Sequence, residues 1–475
     1  MGFIERHNLY TVDQTRAAAE VIRRIELEDL RWVRVVFADQ HGLLRGKTVA
    51  ASELASVLRS GLTVVSTLLS KDTSGTTVYQ AFSTDGGCGI AEMAGAGDMV
   101  MVPDPDTFRV LDWVDKTGWL LCDLYFTNGQ SVPLCSRSML RRAVQRAADN
   151  NFNVLTGTEL EFHIFQAPTL DRSLRGKTSA PRLVNTGYQL LSEDRIDSLG
   201  PIVTVFCEHL HRLGVPLRTI EVEFGPSQLE VTLNPETGVQ AADTVMLLRS
   251  ALKQIARRHG YHVTFMCRPK IPRVFSSGWH LHQSLLHKGV REGENAFVAD
   301  TSDEILSDVG RHYLAGQLRH AAAASVFAVP TVNGYKRFQA YSMAPDRVSW
   351  AKDNRAAMLR VTGSAAERST HVENRIGEPV ANPYLYMASQ LTAGLNGIEQ
   401  RWELGPAADE PYETDAPLLP ATLGEALQAL DADTEFAHAI GKQFVEYYIG
   451  IKRHELSRFN AAVTDWEQSE YFELF

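Results

Sequence analysis

Gly157-Thr158-Glu159-Leu160-Glu161-Phe162 alternates apolar and acidic residues, and three further segments follow a similar pattern. They are Glu223-Phe224-Gly225-Pro226-Ser227-Gln228-Leu229-Glu230, His280-Leu281-His282-Gln283-Ser284 and His371-Val372-Glu373-Asn374-Arg375. In an extended strand, residues i and i+2 share a face. Glu159 with Glu161, His280 with His282, and Glu373 with Arg375 are therefore each expected to project on one side. Such strands, facing one another, would gather five carboxylates and two imidazoles, with arginines nearby. That much like charge is tolerable only beside cations or water. The four segments predict a site for divalent metals and, with them, phosphate. Hard oxygen ligands with an imidazole favour Mg²⁺ or Mn²⁺ over zinc.

An arginine series follows: Arg337 in Asn333-Gly334-Tyr335-Lys336-Arg337-Phe338, then Arg355, Arg360, Arg368 and Arg375. Arginine presents a fixed fork of donors that suits carboxylate and phosphate oxygens. Arginines beside acid-held divalent cations suit phosphoryl transfer, which depends mainly on positioning and charge stabilisation. The sequence contains neither G-x-x-x-x-G-K-[ST] nor G-x-G-x-x-G, so neither a P-loop nor a Rossmann fingerprint supplies a nucleotide site.

Around these segments, 475 residues suffice for two domains, and 44% hydrophobic with 22% charged residues is the composition of a globular enzyme. A net charge of −10 argues against nucleic acid as a partner. The five cysteines lack CxxC spacing and read as reduced thiols. With no signal-like start and no membrane-length apolar run, the expected location is the cytoplasm, with no membrane partner.

Residues 14–28 read as a helix. Trp32 to Phe37 and Leu43 to Lys47 read as a hairpin around Gly42. Residues 62–100 look largely like loop, and Gly118 to Tyr125 like a strand. Past Pro133, Ser136 or Ser138 could cap a helix carrying Leu140, Ala143, Val144 and Ala147 at helical spacing. Residues 304–324 read as one helix, Asn382-Pro383 as a helix start, and 405–420 as a surface loop.

The ordered set of motifs resembles the glutamine synthetase family over nearly the whole chain. Glu159-Leu160-Glu161-Phe162 resembles the family's E-x-E-F, and Glu223 to Glu230 its E-Y-G-P-G-Q-x-E. Ser277-Gly278-Trp279-His280-Leu281-His282-Gln283-Ser284 resembles S-G-M-H-x-H-x-S. Pro330 to Arg337 resembles N-P-T-x-N-S-Y-K-R, and Glu373-Asn374-Arg375 with Ala381 to Leu385 completes the series. The resemblance implies an α+β fold: an N-terminal β-grasp domain over residues 1–130, then a larger catalytic domain with an antiparallel sheet over 131–475. It implies a homo-oligomer, usually a dodecamer, with active sites shared between subunits. It also implies an ATP-dependent ligase that activates glutamate as γ-glutamyl phosphate and passes the acyl group to a nitrogen nucleophile.

Carried across by resemblance, Glu161, Glu223 and Glu230 would hold one divalent ion, and Glu159, His280 and Glu373 another, with two or three ions per site. Glutamate would be held by Arg337 and Arg375 beside Glu161 and Glu223. ATP would lie along His282, Ser284, Arg355, Arg360 and Arg368, with Arg355, Arg360 and Arg375 stabilising the phosphoryl group in transfer. Tyr188 would line the amine pocket. Asp72 could be the acid that a neighbouring subunit contributes.

Departures from the family pattern bear on the nucleophile. Ammonia-using relatives carry a glutamate in the loop after Y-K-R, as in G-Y-E-A-P. Here Phe338-Gln339-Ala340-Tyr341-Ser342-Met343-Ala344-Pro345 puts Met343 in its place, with no glutamate between Lys336 and Arg355. A carboxylate attracts a cation, whereas Met offers a soft apolar surface. The expected nucleophile is thus an uncharged or bulky amine, hydrophobic or aromatic, as in the γ-glutamyl-amine ligases. The alternatives are an ammonium-using glutamine synthetase, a γ-glutamyl-polyamine ligase, and an inactive structural relative. By the resemblance, Phe275-Ser276 stands where N-G often precedes S-G-M-H and contacts the amino end of glutamate, so altered glutamate recognition is expected; Trp279 replaces a Met and His371 an arginine near the phosphates, and these changes are expected to enrich the site in aromatic side chains.

Overall fold

A computed structural model describes residues 1–167, 181–299, 301, 304–364 and 367–475. Two sheets organise the chain. In the first, strands β1 (Trp32–Ala38) and β2 (Leu44–Ala50) form an antiparallel hairpin. Also in this sheet are β3 (Leu62–Val65), β4 (Asp98–Pro103), β5 (Arg109–Val110) and β6 (Thr117–Phe126). The order is β2-β1-β6-β4-β3, with β5 on β6, and β1 runs parallel to β6. A central parallel pair flanked by antiparallel neighbours, with helix Leu54–Ser60 between, is the β-grasp arrangement. Residues 62–100 are less loop-like than their Gly, Ser and Thr content implies, because β3 pairs with the apolar β4.

The second sheet comprises β7 (Phe152–Gln166), β8 (Arg182–Leu183), β9 (Leu217–Val222), β10 (Gln228–Thr237), β11 (Tyr261–Thr264), β12 (Trp279–His287), β13 (Trp350–Lys352), β14 (Leu359–Thr362) and β15 (His371–Gly377). Its order is β13-β14-β15-β12-β7-β10-β9, with β8 and β11 also on β7. All these pairings are antiparallel except β13 with β14. One face packs on helices Gln240–Arg258 and Pro383–Gln400, whose buried residues continue the core. The other face is left for chemistry.

Several local expectations shift. Neither Ser136 nor Ser138 caps helix Ser136–Asp149; Cys135 occupies the cap position without a side-chain bond. Burial of Arg137 among Asp104, Asp123 and Asp243 fixes that helix start instead. The helix expected over 304–324 is two, Asp308–Arg319 and Ala321–Ala328, meeting at His320. His320 is drawn into the core by Asp433 at 2.6 Å and by Asn396. Asn382 does cap helix Pro383–Gln400, its Oδ1 accepting from Tyr384 N–H. The cysteines are all free thiols.

Candidate active site

Strand register assembles the site. On the open face of the second sheet, Glu161 pairs across β7–β10 with Glu230, which pairs across β9 with Glu221. One step along, Glu159 faces His280. One step further, His282 lies opposite Gly157 on one side and Glu373 on the other, and Glu373 faces Arg360. Directly opposed residues share a face, so three cross-strand rows lay acids, imidazoles and an arginine side by side. Gly157 leaves room for this, since a Cβ there would lie 3.3 Å from His282 Cβ.

The segment Glu223 to Glu230 is a strand only at its end: residues 223–227 form the turn between β9 and β10, with Ser227 at φ +58° and Glu223 just past the end of β9, and Gln228 to Glu230 open β10. Glu223 therefore reaches the acid row from a loop, its Oε2 held by the N–H of Phe224 at 3.0 Å.

Hydrogen bonds divide the face into two halves. Glu159 Oε2 lies 3.2 Å from His280 Nδ1, and its Oε1 lies 3.2 Å from His282 Nε2. Glu373 is fully buried; Arg360 Nη1 donates to it at 3.0 Å, and Arg375 Nη1 donates to its other oxygen. Burial opposes charge on Glu373, yet His280 and Arg375 hold its pKa down to about 2. Glu159 is likewise held well below the usual range, because its bonds to His280 and His282 outweigh burial.

At the other half, burial pushes Glu230 up to about 10, with the charges of Glu161, Glu159 and Glu223 adding to the effect. Glu161 rises to about 8 through burial and then Glu223, although Arg337 opposes the shift. Glu223 is raised by burial as well. Gln228 Nε2 supports this half, donating to Glu161 Oε2 at 2.7 Å and Ser277 Oγ at 2.9 Å.

Among the described residues, two groups of donors lie close enough to share an ion, Glu159, Glu230 and His280, and Glu159, His282 and Glu373, neither of which is one of the expected trios. Both are oxygen-rich sets with an imidazole, and Glu161, Glu223 and Glu230 resist ionising without a cation. Such a donor set fits hard divalent metals. Glu159 belongs to both groups.

Arg337, on the turn Gly334–Arg337, donates to Arg375 O at 2.9 Å and brings Nη2 to 3.5 Å from His280 Nε2. Arg360 also binds Asp353. Arg355 is exposed, and its carbonyl accepts from Arg375 Nε. Beside the rows opens a cleft of about 480 Å³, lined in part by Glu159, His282, Ser284, Arg360, Arg368 and His371. Of the expected nucleotide-side residues, only Arg355 is not in its lining.

Met343 is 58% exposed at φ +61°, and Arg375 Nη2 reaches its carbonyl at 3.5 Å. Tyr188 packs on Phe224, the neighbour of Glu223, with ring centroids 4.9 Å apart. Asp72 is tied within its own chain: Ser74 and Thr76 donate to Oδ1, while His454 and Arg458 pair with Oδ2 at 3.0 and 2.7 Å. Trp279 is fully buried, edge-on to Tyr386, and contributes no aromatic surface to the site.

Residues the sequence reading passed over include Glu221, which lines the cleft, and Gln228. Glu221-Val222-Glu223 carries the same i, i+2 signal as Glu159-Leu160-Glu161 and could have exposed Glu221.

A sheet presenting metal-grade acids beside an arginine-lined cleft is the equipment of a metal-dependent ligase or phosphoryl transferase. Residues 133–471 match the glutamine synthetase catalytic domain. The chain is 42% identical to γ-glutamylanilide synthase of an Acinetobacter species, over 100% of this chain and 99% of that protein. It is 35% identical to γ-glutamylethanolamide synthetase of Streptomyces coelicolor, over 94% and 93% of the two chains. The apo structure of GmaS superposes with a TM-score of 0.80 at 25% identity, covering 95% of this chain and 99% of that one. The chain belongs to the glutamine synthetase family. It is an enzyme of that family's kind, an ATP-dependent carbon–nitrogen ligase. No helix among the described residues is long and apolar enough to cross a membrane.

Proposed function

We propose that the protein joins the γ-carboxyl of glutamate to a small hydrophobic or aromatic amine, giving a γ-glutamylamide, ADP and phosphate. The observation that carries this reading is the loop at Met343. An exposed thioether stands where a carboxylate would attract ammonium, and no glutamate occurs between Lys336 and Arg355. The relatives named for anilide and ethanolamide products support it.

In the first step a γ-carboxylate oxygen of glutamate attacks the terminal phosphorus of ATP, and the bond to ADP breaks. In the second the amine nitrogen attacks the acyl carbon, phosphate leaves and nitrogen sheds a proton as the amide forms. Arg337 and Arg375, both buried, hold the glutamate carboxylates in fixed orientation. Arg360 and Arg368, on the cleft wall, and the exposed Arg355 bind the phosphates and the charge that develops on them. His282 and Ser284 position the nucleotide.

Glu161, Glu223 and Glu230 would hold one divalent ion, and Glu159, His280 and Glu373 the other; Mg²⁺ or Mn²⁺ there supplies charge neutralisation for the phosphates. Tyr188 and Met343 border the amine in a ring-shaped homo-oligomer, a dodecamer by family habit; Asp72, held on both oxygens within its own chain, is left out of that pocket. We divide the chain at residue 130 into β-grasp and catalytic domains, and place the reaction in the cytoplasm.

The test is ADP release with Mg²⁺, ATP and glutamate against ammonium, putrescine, ethylamine, isopropylamine and aniline. Turnover with the neutral or bulky amines well above that with ammonium is expected; robust turnover with ammonium alone sinks the reading. Met343→Glu should raise ammonium use relative to aniline by about tenfold, the worth of a single charge-assisted contact.

A further inference from the structure

Beside the acid row, three aromatic rings stand only half-buried. Phe224 and Phe275 meet close to edge-on, with centroids 4.8 Å apart and planes at 70°. Tyr188 leans on Phe224 at 4.9 Å and stands at 89° to Phe275 at 6.3 Å. Phe224 directly follows Glu223 and binds its carboxylate through the backbone. The rings are thus fixed next to one of the site's acids.

Their scaffold is rigid. Tyr188 N–H donates to Phe224 O at 2.7 Å, and its hydroxyl donates to Arg273 O at 3.1 Å. The Arg273 guanidinium covers one face of Tyr188 at 3.9 Å from the ring centroid. A Cβ on Gly225 would approach Phe275 Cβ to 2.9 Å, so the turn and the segment carrying Phe275 are in close contact. Two residues on, Ser277 Oγ accepts from Gln228, which also holds Glu161. Phe275 is therefore anchored to the acid row through its backbone neighbours, while its ring remains partly open.

Half-exposed rings beside carboxylates cost hydrophobic free energy that an apolar occupant would recover. With Arg273 over Tyr188, the uncovered ring surface belongs largely to Phe224 and Phe275. A benzene ring prefers an offset or edge-to-face partner, which this pair offers. Resting on the amine-ligase reading, we propose that Phe275, backed by Phe224 and Tyr188, is the specificity-determining residue that packs against an aromatic ring of the amine. The substrate class is then arylamines and aralkylamines in preference to saturated amines of the same size.

The test is steady-state ADP release, with ATP, Mg²⁺ and glutamate saturating, for wild type, Phe275→Leu and Phe275→Tyr. The nucleophiles are aniline, benzylamine, cyclohexylmethylamine, isopropylamine and ammonium. Benzylamine and cyclohexylmethylamine carry the same charge, so their ratio isolates the ring. Wild type should favour benzylamine, a requirement that holds whether or not a variant folds. Phe275→Leu should lower kcat/KM for the two aromatic amines by about two- to tenfold more than for the saturated pair. Phe275→Tyr should restore it, with KM for glutamate unmoved. Equal losses for both kinds of amine, no wild-type preference, or a rise in the glutamate KM in place of the amine effect overturns the assignment. Failure of the underlying reading would appear differently, as wild-type turnover with ammonium and none of the organic amines.

Discussion

Glu373 and Glu230 lie on one face of one sheet, with only β12 and β7 between their strands, yet their surroundings are opposite. Glu373 is enclosed by Arg360, Arg375 and His280 and stays ionised to about pH 2. Glu230 is enclosed by Glu161, Glu159 and Glu223, and burial, together with their charges, pushes its pKa up to about 10. The first carboxylate has its counter-charges built into the chain. The second awaits a cation. The protein thus folds with half of its ligand set electrostatically complete and half incomplete, and metal binding should be felt chiefly by the incomplete half.

The sharpest way to break this contrast is to neutralise each end in turn. Glu373→Gln leaves Arg360 and Arg375 buried without their shared counter-charge. Removing one partner of a buried ion pair costs about 3–5 kcal/mol. Thermal unfolding in EDTA should show a large fall in midpoint. A midpoint within a degree of wild type would mean that the complete half is not complete.

Glu230→Gln should do the reverse. In EDTA it removes an acid that burial and its neighbouring carboxylates force to stay protonated, and should raise the midpoint, by on the order of 1 kcal/mol or one pKa unit of relief. At the same time Mn²⁺ affinity, measured by calorimetric titration, should fall at least about tenfold, a loss seen even for residues that only support a ligand. If EDTA-treated Glu230→Gln melts below wild type, burial and crowding of the acid row are not what set its state.

The same asymmetry predicts a pH effect. Glu161 and Glu230 have folded pKa values near 8 and 10, above the ordinary glutamate value of about 4.3. The folded state therefore holds protons that the unfolded chain has released. The stability this contributes is fully present below about pH 4 and is lost as pH rises through 8 toward 10. In EDTA the midpoint should fall between pH 6 and 9. With Mg²⁺ present, binding favours the ionised acids and the fall should flatten. Parallel pH profiles with and without Mg²⁺ would contradict this.

How much of this contrast was legible in the chain itself is instructive. Alternation in Glu159-Leu160-Glu161 and His280-Leu281-His282 was enough to place those side chains on one face, because a strand's period is local. The same rule put Trp279 and Leu281 on the opposite, buried face, so applying it strictly would have removed Trp279 from the site. What no local rule supplies is register. That Glu161 faces Glu230 and Glu230 faces Glu221, while Glu373 faces Arg360, depends on pairings between distant segments. Segregation into a complete and an incomplete half is a property of register and so was invisible. Likewise Cys135 sits at a helix cap because Arg137 finds three carboxylates brought from residues 104, 123 and 243. By contrast, Asn382-Pro383 was readable because its cap is made within three residues.

The smallest expected effect probes how the incomplete half is held ready for its ion. Gln228 is the neutral donor there, bonding Glu161 and Ser277 through Nε2 while Oε1 accepts from Gly225 N–H at 2.9 Å. Gln228→Leu removes these bonds without adding charge. Leaving buried partners unsatisfied costs about 1–3 kcal/mol, so a modest drop in the EDTA midpoint is expected for structural reasons alone. The informative readout is metal affinity. If Gln228 orients Glu161 toward an ion, Mn²⁺ binding should weaken about tenfold, and Gln228→Glu should not rescue it, because another carboxylate deepens the crowding. If Mn²⁺ affinity is unchanged while the midpoint falls, Gln228 merely braces the turn, and Glu161 is aimed by register alone.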